Sequence, residues 1–378
     1  MEILNKADNK AVCEYESFLK EQEGISFMQS IQWTAVKSNW NSEAVIVRDE
    51  KGKIVGSCLV LIKGVPFFDR SLLYAPRGPV CDRNNIEVMR EIFAGIDSLS
   101  KKYNAFEFIC DPPVNENDKE FTAAMRELGF SRKTESSKSK TETVQCRNNY
   151  ILDIEGKTPD EVMSGFRPDW RNRIRKAVRK GVYCKETGAE GLEDFYPLMT
   201  ATGRRDNFPV RSPEYFRRFM EALGDNCRLF ICYADIDGKE TPLSGAIGVN
   251  YSGVFTYVYG ASSDENRNFY PNYLMQWTMI EYALERGCKV YDFGGIPCYD
   301  NEKDPKYGIY RFKKGFGGEV VNYAGDFVKR YDLVLCMAVG LYRKFNVRSI
   351  KKGITACVKS VKNQRSFLQT PYVFKNLL

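Results

Sequence analysis

The chain has 378 residues, with 56 Lys+Arg against 49 Asp+Glu, 12 Cys and no His. Without imidazole there is no Ser-His-Asp or Cys-His nucleophile pair, no His general base, no mixed Cys/His zinc site and no His-ligated haem. Acid-base work falls instead to Asp, Glu, Lys, Tyr, Cys or the substrates, and the length suggests about two domains of ~100–200 residues each.

The N-terminus, MEILNKADNK, carries charges and lacks an apolar h-region, so no signal peptide is expected. Residues 44–61 (AVIVRDEKGKIVGSCLVL) read as strand, turn and strand, with Gly52 at the hairpin. An apolar strand follows with Tyr74 near its end. Next comes a helix with Met89, Ile92, Ile96, Leu99 and Tyr103 on one face, and then a buried strand, 105–111, that runs into Pro112 and Pro113. A further helix ends at Leu128-Gly-Phe130. Residues 131–149 are polar and aperiodic and are expected to form a connecting loop.

The second half repeats this order. A hairpin at 228–249 turns on Gly238-Lys, and a strand carries Tyr257 and Tyr259. A helix opens at Pro271 and stops before Gly287, and a strand at 289–295 is followed by a helix closing on Lys314-Gly-Phe316. An internal duplication of this kind decides architecture before local propensity does. The expected organisation is two similar α/β lobes, 1–147 and 148–328, with a basic amphipathic helical tail over 329–378.

Two cationic features stand outside the repeat. A helix over 166–180 (FRPDWRNRIRKAVRK) buries a stripe of Trp170, Ile174, Ala177 and Val178. It crowds Arg167, Arg171, Arg173, Arg175, Lys176, Arg179 and Lys180 on the rest, against one acid, Asp169. Phosphate binding and a solvated face are the two readings of that charge density. The segment from Lys329 onward holds eleven Lys/Arg against Asp332 alone, so the net +7 of the chain hides −3 on the first 328 residues. Its apolar run, 333–342, is too short to span a bilayer. The tail fits a docked helix, contact with nucleic acid, or peripheral attachment to an anionic membrane. The cysteines include no C-x-x-C pair, which points to reduced thiols in a cytoplasm.

Five segments in fixed order, 73–80 (LYAPRGPV), 170–182 (WRNRIRKAVRKGV), 205–215 (RDNFPVRSPEY), 291–295 (YDFGG) and 308–318 (GIYRFKKGFGG), resemble the Fem family of peptidoglycan interpeptide-bridge aminoacyltransferases. The resemblance implies an α/β (α+β) fold of two tandem GNAT-like lobes. It also implies transfer of an amino acid from aminoacyl-tRNA, as co-substrate, to the stem peptide of a cell-wall precursor. No metal and no further cofactor are implied. The chain lacks the charged helical hairpin that some members insert in the second lobe, and so looks like the short members, at least one of which uses a soluble UDP-linked precursor. Carried over by residue, the resemblance implies Lys37, Arg211, Tyr215, Tyr259, Tyr74 and Arg77 on the acceptor substrate, with Tyr257 the alternative to Tyr259. Asp111, Phe312 and Lys313 are then implied at the acyl transfer. Arg171, Arg173, Arg175, Lys176, Arg179 and Lys180 are the candidate tRNA phosphate contacts. The Arg211-x-x-x-Tyr215 step is expected to lie on one helical face, and Lys313 in a glycine-bounded loop.

Such chemistry suits a chain without His. The donor ester is already activated, so the protein needs mainly to align reactants and hold an oxyanion. Asp111 is the expected orienting group and candidate base for the acceptor amine. Two other readings compete: an acyl-CoA N-acyltransferase, weakened because the helix opening NFYPNYL (268–274) has no phosphate-cradling glycines, and a non-catalytic tRNA-binding protein. The expected protein is a cytoplasmic monomer without a transmembrane segment, with the inner face of the membrane as a candidate peripheral contact.

Overall fold

A computed structural model of the chain describes residues 1–65, 69–133 and 143–340. The basic tail beyond 340 and the centre of the 131–149 connection lie outside the described residues.

The first lobe opens with β1 (Glu2–Ile3), α1 (Asn9–Glu21) and α2 (Ile31–Val36), then the hairpin β2 (Asn41–Arg48) and β3 (Ile54–Gly64). It continues through β4 (Ser71–Ala75), β5 (Val80–Cys81), α3 (Ile86–Lys102), β6 (Ala105–Cys110), α4 (Lys119–Glu127) and β7 (Ser131–Arg132). The second lobe runs through β8 (Asn148–Asp153), α5 (Pro159–Ser164), α6 (Pro168–Arg179), β9 (Tyr183–Thr187), α7 (Leu192–Arg205) and α8 (Pro213–Leu223). There follow β10 (Cys227–Ile236), β11 (Lys239–Tyr251), β12 (Val254–Ser262), α9 (Pro271–Glu285), β13 (Val290–Gly295), α10 (Tyr307–Lys314) and β14 (Glu319–Asn322). The last described strand is β15 (Phe327–Arg330), and residues 333–340 are helical.

Two mixed sheets result, in the orders β1-β2-β3-β4-β6-β15-β7 and β14-β8-β13-β12-β11-β10-β9. Each contains an antiparallel hairpin followed by one parallel pair: β4 beside β6 in the first, β12 beside β13 in the second. In both cases a helix, α3 or α9, makes the crossover that a parallel pair requires. The repeated hairpin, strand, helix and strand of the sequence are therefore repeated in space.

The boundary expected at 328 falls inside β15. That strand lies in the first sheet, where Phe327 pairs with Cys110 and Val328 with both Ile109 and Ser131. The chain completes its second lobe and then returns to finish the first. Asp326, fully buried at the start of this return, accepts the Val144 N–H at 3.2 Å and the Lys133 ammonium at 3.4 Å. It thereby clamps both ends of the 131–149 connection.

The lobes also share a core. Phe27 and Trp33, from the N-terminal helical segment and themselves 5.5 Å apart, meet Phe219 of α8 edge to face, with ring centres 6.2 and 6.1 Å away. One contiguous apolar cluster runs from Tyr15, Leu59 and Ile109 through these rings to Phe216, Leu229 and Ile247. In the helical turns at 333–340, Leu335, Cys336 and Val339 pack against this cluster while Leu333, Val334 and Met337 are exposed. Among the described residues no helix is long and apolar enough to cross a membrane.

Because the shared core joins the lobes, Phe219→Ala is expected to cost about 3–5 kcal/mol, the usual range for deleting a buried Phe. It should lower the midpoint of one cooperative urea transition monitored by circular dichroism. Two separated transitions would show that the lobes unfold independently.

Candidate active site

Both parallel strand pairs direct their carboxyl ends into the seam between the lobes. This is where α/β sheets gather ligand-binding groups, because the connecting loops diverge there and leave a crevice. From the first lobe come Arg77, just past β4, and Asp111, just past β6. From the second comes Asp292 in β13, at the point where that strand leaves β12. These two strands pair only over Val254–Thr256 and Val290–Asp292, and then part.

Asp111 is 1% exposed. Its carboxylate accepts the backbone N–H of Arg77 at 2.7 Å and the hydroxyl of Tyr74 at 3.2 Å. Burial pushes its pKa up to about 7; Arg77 opposes that rise and the nearby Asp326 adds to it. Arg77 holds a left-handed backbone, φ 55°, in the turn after β4. Its guanidinium donates to the Cys146 carbonyl at 3.1 Å and lies 4.9 Å from the centre of the Tyr323 ring. Burial works against that charge, while Asp111, Tyr323, Tyr74 and Asp292 sustain it. The turn itself is clamped by Gln29, fully buried, whose amide donates to the Pro76 carbonyl at 2.6 Å and whose oxygen accepts the Leu59 N–H at 2.9 Å.

Lys313 is 6% exposed and lies in helix α10, not in the loop expected from its flanking glycines. Its ammonium donates to the Gly295 carbonyl at 2.9 Å. Burial lowers its pKa to about 8, with Asp292 and Cys146 working the other way. Neighbouring Phe312 packs its ring against Tyr273 and Phe316, at 5.2 and 5.4 Å, and its carbonyl accepts the Trp170 indole N–H at 3.0 Å. Asp292 accepts the Gly294 N–H at 2.7 Å and the Asn149 amide at 3.0 Å. Asp111 and Lys313, two of the three side chains expected at acyl transfer, thus lie at the two ends of a row of alternating charge, Asp111, Arg77, Asp292 and Lys313, across the seam, with Phe312 beside Lys313.

A second group gathers where α2 meets α8. Lys37 caps α2, with its ammonium 5.1 Å from the centre of the Trp33 ring. Burial lowers its pKa to about 8, and the charged group that reinforces this is another cation, Arg211. Arg211 precedes the helix: Ser212 is the N-cap and Pro213 the first helical residue. It nonetheless stacks on Tyr215, 5.2 Å from the ring centre, and the Tyr215 and Tyr259 hydroxyls lie 3.2 Å apart. Arg218 flanks the same ring at 5.8 Å and donates to the Val36 carbonyl at 3.3 Å. Two cations thus bear on each other here, Lys37 half-buried and Arg211 exposed, an arrangement that an anion would relieve.

Tyr257 and Tyr259 do not share a strand face, although they are two residues apart. The β11–β12 register slips at this point, with Ile247 opposite Tyr259 and Gly248 opposite Tyr257. The irregularity sends Tyr257 into the second-lobe core and Tyr259 into the shared one. Tyr259 is therefore the tyrosine that joins Arg211 and Tyr215.

The Arg-rich helix α6 divides its cations. Arg171 donates to the Ser164 carbonyl at 2.7 Å. Arg173 bonds the Tyr273 hydroxyl and lies 5.0 Å from the ring centres of Trp170 and Tyr273. Both are engaged within the fold. Arg175, Arg179 and Lys180 are exposed at the helix end and Lys176 half-buried, with Lys180 5.1 Å from the Phe269 ring. Val178, expected in the buried stripe, is 57% exposed, because the face that α6 buries is confined to Trp170, Ile174 and Ala177.

Sequence reasoning gave no role to Gln29, Asn149 or Asp292. Asp292 stood inside the 291–295 motif, but its partners, like those of Gln29 and Asn149, are tertiary, and spacing carries no trace of them.

Comparison with known proteins agrees with this architecture. The FemAB family model matches residues 11–239 and 233–342. The lipid II:glycine glycyltransferase of Staphylococcus epidermidis is 29% identical over a 385-residue alignment covering 85% of this chain and 91% of that protein. The Staphylococcus aureus protein of the same name is 27% identical, with the same coverage. Among solved structures, FemX superposes with a TM-score of 0.81 at 25% identity, over 89% of this chain and 99% of that one. A tandem GNAT protein from the clavulanic acid biosynthesis pathway, 13% identical with a TM-score of 0.53 over 87% of this chain and 98% of that one, shares the fold. With a family model spanning most of its length and two GNAT-like lobes in the same arrangement, the chain belongs to the FemAB family.

Proposed function

We propose that the chain transfers an amino acid from aminoacyl-tRNA to the stem-peptide amine of a peptidoglycan precursor, lipid II or its UDP-linked counterpart, and so builds the interpeptide bridge. The observation that carries this reading is the seam itself: a cation pair suited to a diphosphate and a buried carboxylate–lysine network, both set between the lobes. The relatives named lipid II:glycine glycyltransferases support a transferase that forms a peptide bond. Their name favours the lipid-linked acceptor.

In this mechanism Lys37 and Arg211 take the acceptor diphosphate, with Tyr215 and Tyr259 setting the wall beneath it. The stem amine reaches Asp111. A lysine-type amine arrives protonated, with a reference pKa of about 10.4, and a carboxylate whose own pKa is about 7 is a far better proton acceptor than an ordinary one. The freed amine attacks the ester carbonyl, and the Lys313 ammonium holds the oxyanion. As the new C–N bond forms and the ester C–O bond breaks, nitrogen gives up a second proton, so that one of the two protons leaves with the ribose oxygen and the other passes from Asp111 to solvent. The vicinal ribose hydroxyl is an alternative carrier for the proton that Asp111 takes, with Asp111 then orienting the amine. The exposed cations of α6 take tRNA phosphates. The protein acts as a cytoplasmic monomer without a further cofactor, and the apolar face at Leu333, Val334 and Met337 with the basic tail contacts the inner face of the membrane.

Incubating the protein with charged tRNAs and either acceptor, followed by mass spectrometry, should show a gain of one amino-acid residue; transfer from acyl-CoA instead would overturn the reading. Lys313→Met should lower kcat by about 100–1,000-fold, the usual effect of removing an oxyanion donor. Arg211→Ala should raise the acceptor KM by about 10–100-fold, the equivalent of one charge-assisted hydrogen bond, with a smaller effect on kcat. At saturating acceptor, kcat should be bell-shaped in pH, rising through about 7 as Asp111 ionises and falling through about 8 as Lys313 loses its proton.

Asp111 should also cost stability. Its carboxyl ionises near 3.8 when free but holds its proton to about 7 in the fold. Between those values the folded chain keeps a proton that the unfolded chain has released, so this group makes stability fall as pH rises. Asp111→Asn removes that loss. Urea unfolding should show no gap between variant and wild type near pH 3, widening to about 4 kcal/mol in favour of the variant at pH 8, while transfer is lost.

A further inference from the structure

Asp292 takes no direct part in the steps above, yet it is a carboxylate held at the point where β12 and β13 part. Three observations converge on it. Its oxygen accepts the N–H of Gly294, whose φ of +72° gives the turn its sharp bend, and the next carbonyl, that of Gly295, receives the Lys313 ammonium. The turn is hemmed in on both sides: a Cβ on Gly295 would stand 2.6 Å from Cys146 Cβ, and one on Gly294 3.1 Å from the Tyr257 carbonyl. Asn149, 7% exposed, grips both parts of the device, its side chain on Asp292 and its backbone paired with Gly295, while its own amide oxygen is buried without a partner.

We propose that Asp292 is a positioning residue for acyl transfer: its carboxylate fixes the Gly294–Gly295 turn on which the Lys313 ammonium rests, and it is that ammonium's counter-charge. The groups facing Lys313 are Asp292 from β13 and Cys146 from the segment before β8. Those facing Asp292 are Asn149 from β8, the Gly294 N–H, Lys313 from α10 and Arg77 from the turn after β4, all of which favour its ionised form against burial. Tyr323 and Tyr291 feel its charge in turn. Removing the carboxylate takes away the opposite charge and leaves Lys313 with the Gly295 carbonyl and Cys146, so the lysine gives up its proton more easily. Loss of a close opposite charge moves a pKa by about one unit or more.

The inference rests on the transfer reading only for its kinetic arm. Asp292→Asn keeps an oxygen for the Gly294 N–H and removes the charge. Its kcat should fall about fivefold at pH 8 and less than twofold at pH 6, as the basic limb moves down by about one unit, with the acceptor KM unchanged. Equal loss at both pH values, or no loss, would overturn the proposal. Asn149→Ala, which leaves the charge and removes its tether, should lower kcat with the basic limb in place; a limb displaced as far as in Asp292→Asn counts against Asp292 as the counter-charge. Independently of activity, the Cε resonance of Lys313, assigned through Lys313→Arg in protein carrying 13C at lysine Cε, should titrate near 8 in the wild type and about one unit lower in Asp292→Asn. If that midpoint moves while the wild type transfers nothing from aminoacyl-tRNA, the functional reading fails and the pairing stands. If transfer occurs and the midpoint stays, the pairing fails.

Discussion

A charge withdrawn from water has to be answered by another of opposite sign, and the centre of this molecule is organised by that requirement. Asp111, Arg77, Asp292 and Lys313 alternate in sign from the first lobe to the second, each drawn from the end of a different element. A lone buried carboxylate or ammonium would simply neutralise. Here each is held part-way, with Asp111 near 7 and Lys313 near 8, values at which a proton can be taken or held close to neutrality. The lobes must therefore stay in fixed register, and the shared aromatic core around Phe27, Trp33 and Phe219 supplies the rigidity.

The two ends of the seam follow opposite rules. At the Lys37–Arg211 end two cations bear on one another and Lys37 is partly desolvated as well, a strain that an anion would relieve. At the Lys313 end the charge already has a partner and a carbonyl to rest on, so the group is in place before any substrate arrives. One end is built to attract, the other to stay still. That division suits a transferase whose rate depends on alignment.

Much of the fold was legible in the sequence because it is repeated. Hairpin, strand, crossover helix and strand recur with their apolar spacing and their glycines, and both copies fold alike. What escaped was whatever depends on partners distant in the chain. β15 pairs with β6 from more than 200 residues away, so no local pattern marks Phe327 and Val328 as first-lobe residues. The slip of register between β11 and β12 reverses the alternation on which a strand reading relies, which is why Tyr257 and Tyr259 looked equivalent. Arg211 was given to a helix because its spacing to Tyr215 allows one, although Ser212 followed by Pro213 is a strong helix-start signal. The RFKKGF segment read as a loop from its glycine, which instead ends α10. Asp292 and Asn149 are joined by a bond across 143 residues, and neither position stands out until that bond is seen.

The returning strand has a consequence for how the protein comes into being. The first sheet is left open between β6 and β7 until Phe327–Arg330 has been synthesised, by which time the whole second lobe has emerged. Domain-by-domain folding from the N-terminus, the usual course for a growing two-lobed chain, is thus denied a finished first product. Closure is a long-range event of the kind that slows folding, since the entropy of a very large loop must be lost before the pairing repays it. A nascent chain stalled or cleaved before residue 327 carries an unpaired sheet interior. The finished chain has no point between its lobes at which a single cut would release two complete halves.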